Sequence, residues 1–67
     1  MAVPQVGQRY SKVGPVKLVW EVVAAGFDLE GIRHCRIVNV NDRTSVKLIS
    51  ELALADRKLY RLFTEQS

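Results

Sequence analysis

The pair in this chain whose residue types come closest to catalytic chemistry is His34–Cys35, a base beside a thiol. A thiol acts as a nucleophile only when its base lies within hydrogen-bond reach of the sulfur. Residues 32–40 read as a β-strand, and neighbouring side chains on a strand point to opposite faces, so these two cannot share one site. Cys35 therefore reads as a small buried hydrophobe, and His34 as a partly exposed neighbour of Arg36. Asp28 and Glu30 stand two apart between Gly26 and Gly31. No second acid lies at a spacing that would let a proton be shared, so they read as a solvated loop. Gly7, Gly14, Gly26 and Gly31 are too dispersed to cradle a phosphate. One histidine and one cysteine cannot make a zinc-type ligand set. No metal and no cofactor are expected, and the chain reads as non-enzymatic.

A surface remains. Arg33, Arg36, Arg43 and Lys47 fall on two strands joined by a short turn, and would form one basic patch if Arg36 and Lys47 emerge on the same face. Such a patch binds phosphate backbones in a salt-dependent way. Of the five aromatics, Trp20 sits mid-strand and reads as core, whereas Tyr10 and Phe27 are the better candidates for partial exposure. The candidate binding surface is thus Tyr10, Phe27, Arg33, His34, Arg36, Arg43 and Lys47. Its expected partner is another protein or a second copy of the chain, with nucleic acid, held by the 32–49 hairpin, as the alternative.

Composition sets the frame for these residues. The chain has 67 residues, 48% hydrophobic and 25% charged, with a net charge of +3. That is one globular domain, too apolar for disorder. A domain this small buries only about 60% of the surface its unfolded chain exposes. A lone cysteine rules out an internal disulfide, which leaves self-association as a natural reinforcement. Acidic and basic residues are interspersed, as Lys17 with Glu21, Asp42 with Arg43 and Asp56 with Arg57, the pattern of a mixed solvated surface. Residues 1–7 lack the basic-then-apolar order of a signal peptide. The apolar run 18–27 is broken by Glu21 and falls short of the ~20 residues that span a bilayer. A cytoplasmic protein without a membrane segment is expected.

Residues 1–5 and 64–67 read as frayed ends. A first strand is expected at 8–12, followed by Gly14-Pro15 as a turn. Residues 16–24 are rich in valine and read as the second strand. Its core face is Leu18, Trp20, Val22 and Ala24. Residues 26–31 form a hairpin loop, 32–40 a third strand with Cys35 and Ile37 on one face, and 41–43 after Asn39 a turn. A fourth strand begins over 44–49.

Residues 46–63 support two readings. Leu48, Leu52, Ala55, Leu59 and Leu62 repeat with helical spacing, giving a three-stranded antiparallel sheet plus a C-terminal helix. Alternatively, 50–55 is a single helical turn that plugs one end with Leu52 or Leu54, and 58–63 is a final strand. Placed after three strands with short turns, the segment favours the second reading, with Leu48, Leu52, Tyr60 and Leu62 in the core and Lys47 and Arg61 at the surface.

This order of signals resembles small SH3-like β-barrels, including short bacterial and phage proteins. The matching runs are Val6-Gly7-Gln8-Arg9-Tyr10, Leu18-Val19-Trp20-Glu21-Val22-Val23, Gly31 to Val38, Val46-Lys47-Leu48-Ile49-Ser50 and Tyr60-Arg61-Leu62-Phe63. The resemblance implies a mainly β barrel of about five strands with one short helical turn, and no activity. A related architecture, the plasmid-type dihydrofolate reductase, depends on a Gln-Ile-Tyr run in a late strand. The comparable stretch here, Lys47-Leu48-Ile49, lacks the glutamine and the tyrosine, so that activity is not implied.

Overall fold

The computed structural model describes residues 4–63. Five strands, β1 (Arg9–Lys12), β2 (Leu18–Phe27), β3 (Arg33–Asn39), β4 (Asp42–Ser50) and β5 (Tyr60–Phe63), form one antiparallel sheet in the order β4-β3-β2-β1-β5. One short helix, α1 (Glu51–Ala55), joins β4 to β5. No pairing between β4 and β5 closes the sheet among the described residues. The mainly β reading therefore holds, while the sheet-plus-long-helix alternative does not.

The reason lies in backbone pairing. Val46, Lys47, Leu48, Ile49 and Ser50 pair with β3 from Val38 down to His34, which commits their amides to the sheet and leaves a helix only five residues. Ser50 starts it: its Oγ accepts from the Ala53 amide at 3.2 Å, with Glu51 favourably placed in the first turn. Asp56 ends it. The Asp56 carbonyl accepts from the amides of Leu59 and Tyr60, both at 2.9 Å, and so turns the chain into β5. The four-and-three spacing of leucines is present in the sequence but faces water. Leu48 is 69% and Leu52 80% exposed, and Leu62 is also exposed, against the expectation that all three are core. Leu54, at 0%, is the residue that α1 inserts.

The core is one cluster: Tyr10, Trp20, Val22, Cys35, Ile37, Leu54 and Tyr60, with Leu18 and Ile49 packed at its margin. Ala24 does not join it as expected. The β2–β3 register runs Val22↔Ile37 and then Ala24↔Arg36, so Val23 is an extra, bulged residue. One inserted residue reverses which face each later side chain takes, and Ala24 turns outward with Arg36. A second register shift lies between Val38 and Asn39, where Asn39 pairs Asp42. The turn is thus Val40-Asn41, one residue earlier than expected, and the Asn39 Oδ1 accepts from the Asn41 amide at 2.8 Å.

Residues 1–3 and 64–67 lie outside the described residues, and so does the fraying expected there. At the inner end of the first of these segments Pro4 is buried, and its carbonyl accepts from Arg33 Nη2 at 3.3 Å, so residue 4 is anchored rather than frayed. No helix among the described residues is long and apolar enough to cross a membrane.

Candidate functional site

The register assigns each candidate residue to a face. Strand partners share a face, so Glu21, Ala24, Gly26, His34, Arg36, Val38, Val46, Leu48 and Ser50 occupy the outer face of β2, β3 and β4. Cys35, Ile37, Lys47 and Ile49 lie on the core side. Arg36 and Lys47 therefore emerge on opposite faces, and the condition for a single basic patch on the 32–49 hairpin is not met. Arg36 pairs with Leu48, one residue out of phase with Lys47.

The four cations are separated by their partners as well. Arg33 Nη1 lies 2.7 Å from Glu51 Oε2, a half-buried ion contact that ties β3 to the start of α1. Arg43 Nη2 donates to Glu21 Oε1 at 3.1 Å, and Arg9 Nη2 reaches the same oxygen at 3.3 Å. The hydrogen bond from Arg43, helped by the charges of Arg43 and Arg9, holds the Glu21 carboxyl below its ordinary range. The Lys47 ammonium sits 4.7 Å from the Trp20 ring centroid, a cation–π contact at the rim of the core. Only Arg36 stands on the outer face of the hairpin without an acid in contact among the described residues.

Tyr10 is not a surface residue. It is 6% exposed, packs in the core opposite Trp20, and burial pushes its phenol upward in pKa. The β1–β2 register puts Tyr10 on the core face with Trp20, where it packs in one cluster with Leu54 and Tyr60. Phe27 does emerge, at 74% exposure, where β2 passes beyond the core. His34 and Cys35 point to opposite faces as expected. Cys35 is fully buried, and burial raises its thiol pKa.

The partner that His34 does have was not expected. Its Nδ1 lies 3.5 Å from Asp28 Oδ2 and 3.2 Å from the Ile32 carbonyl. Asp28 is not a merely solvated loop acid: its Oδ1 accepts from the amides of Glu30 and Ile32, each at 2.9 Å. Gly31, at φ +82°, supplies the left-handed step that lets the loop close. An aspartate opening a short loop that ends in glycine is a recognisable turn signal, and it was available in the sequence.

An open depression of about 480 Å³ lies at the end of the β2–β3 hairpin, with Ala25, Phe27, Asp28, His34, Arg36 and Leu48 among its lining residues. It is mainly apolar, with one unpaired cation and one His–Asp pair at its end. No group of three or more potential metal ligands occurs among the described residues. The depression offers contact area and a charge but no paired nucleophile and base. Comparison with family models, curated proteins and solved structures finds no match for this chain.

Proposed function

We propose that this chain is a non-enzymatic interaction module that binds a protein, in the first instance a second copy of itself, through the outer face and free edge of β4. One observation carries the reading: β4 is an edge strand whose outward side chains include the exposed, apolar Val46 and Leu48. An unpaired strand edge is a template for another strand, and proteins that stay monomeric usually blunt it. Contiguous exposed apolar surface of this kind marks interaction sites. The seven-residue core gives the chain reason to gain further burial from association.

Two copies of β4 paired antiparallel about a two-fold axis must oppose a residue to itself. Centring on Lys47 opposes two ammonium groups, and centring on Ser45 opposes Arg43 to Lys47. Centring on Val46 opposes Thr44 to Leu48 and sets no like charges face to face. We take the last as the register. Kinship with the SH3-like barrels belongs to the same proposal. It is supported by the place of β1 between β2 and β5 and by the single helical turn in the last connection.

Sedimentation equilibrium from micromolar to sub-millimolar concentration tests the reading. A mass rising from 7.6 kDa toward twice that value is expected, with Val46→Lys restoring the monomer while the circular dichroism spectrum is unchanged. A monomer at every concentration refutes self-association. The outer face would then serve a different protein, whose binding Leu48→Asp should abolish.

A further inference from the structure

Three of the ten Lys and Arg residues, Arg9, Arg33 and Arg43, are in ion pairs with glutamates. Seven remain without an acid in contact among the described residues, and five of these lie on β1, β5 and the segments beside them: Lys12, Lys17, Arg57, Lys58 and Arg61. Lys12, opposite the buried Tyr60, takes the core-side face and Arg61, opposite Ser11, the other, so the two flank the free edge of β5. The fold draws these cations from distant parts of the chain. Lys12 pairs with Tyr60 and Ser11 with Arg61 in the β1–β5 ladder. The Lys12 ammonium lies 5.2 Å from the Tyr60 ring centroid, and the Lys17 ammonium lies 5.4 Å from that of Phe63. Arg57 and Lys58 occupy the turn that leads into β5. Asp56 is the nearest acid in sequence, and its Oδ1 is already engaged by the Lys58 amide at 2.9 Å.

The cations border concave ground. Arg61 separates two depressions, one of about 250 Å³ shared with Lys12 and one of about 420 Å³ shared with Arg57. Concave, cation-edged sites accept discrete phosphates one after another, whereas a flat bilayer surface meets only projecting groups. The five-residue α1 is too short to serve as a major-groove reading helix. A flexible strand can follow cations around a sheet edge where a straight duplex cannot. We propose that the free edge of β5 binds the phosphate backbone of single-stranded nucleic acid, with Arg61 and Lys17 as its central contacts. This surface is distinct from the β4 face, so the two readings stand or fall separately.

Fluorescence anisotropy with a labelled oligothymidylate of about 20 nucleotides, longer than the usual site size, tests the proposal. With three to five phosphates neutralised, the slope of log K against log salt is about −2 to −3.5, so binding weakens roughly 20- to 100-fold between about 50 and 200 mM salt. The Lys17→Gln/Arg61→Gln double variant should bind about tenfold more weakly at low salt, with a slope shallower by about 1.4. Arg36→Gln/Lys47→Gln removes the same charge from elsewhere and should bind like the parent chain. Absence of binding at low salt overturns the proposal, and so does an equal loss in both double variants, which would mean bulk charge alone. Equal affinity for duplex overturns the single-strand assignment. Tighter binding to phosphatidylserine vesicles than to the oligonucleotide, with the same residue dependence, would assign the surface to membranes instead.

Discussion

Truncating Leu54 to alanine should destabilise the protein by about 2–5 kcal/mol, the range for a fully buried leucine that leaves a cavity. Leu54 is 0% exposed and is the one side chain by which α1 enters the core. For 67 residues, total stability should be roughly 3–10 kcal/mol, so this one substitution removes a large part of it. With a urea m-value near 1 kcal/mol/M for so small a domain, the midpoint should fall by about 2–5 M. Trp20, buried in the same cluster, supplies the fluorescence readout. Leu52→Ala is the paired control. Leu52 is 80% exposed, and alanine is at least as good a helix former, so its effect should stay within about 0.5 kcal/mol. The two leucines also separate the two arrangements of residues 46–63. A long amphipathic helix would place Leu52 at the centre of its apolar stripe and Leu54 on the polar side. A large loss at Leu52 with almost none at Leu54 would refute the docking of α1 described above.

Further outcomes follow from the polar and titratable groups. Arg43 and Arg9 hold the Glu21 carboxyl at a lowered pKa, so its contribution is complete above the unfolded-state value of about 4.3 and is lost as pH falls through the folded one. Urea midpoints measured from neutral to acid pH should drop less in Glu21→Gln than in the parent, and identical pH profiles would remove the role given to this cluster. Cys35, buried and with a raised thiol pKa, should react with a thiol reagent only after denaturant is added. Rapid modification of the native protein would show that the site opens. Ser50→Ala removes the cap on α1 and should cost about 1 kcal/mol in a chemical denaturation series, with Ser50→Thr retaining most of the stability.

Much of the architecture was legible because it rests on local chemistry. The valine-rich segment expected at 16–24 formed a strand, shifted to Leu18–Phe27 and so extending into the expected 26–31 loop, Asn and Asp residues made turns, and the helical turn expected at 50–55 is α1. Cys35 and Trp20 fell on the core side because strict alternation holds around them. Where alternation breaks, the reading failed. The Val23 bulge sent Ala24 outward, and Tyr10 went inward because its register with Trp20 puts it on the core face. The candidate surface fared unevenly for the same reason. Phe27, His34 and Arg36 share one depression, whereas Arg33, Arg43 and Lys47 are each held by a partner far away in sequence.

From residue types alone the chain determined a mainly β fold with one short helix, since strand propensity and turn chemistry act within a few residues. Tertiary structure decided which leucine of α1 enters the core, which arginines are neutralised, and where the unpaired cations collect. Those outcomes depend on register and strand order, which join positions some fifty residues apart such as Ser11 and Arg61, and no local signal encodes a charge's distance from a partner on another strand.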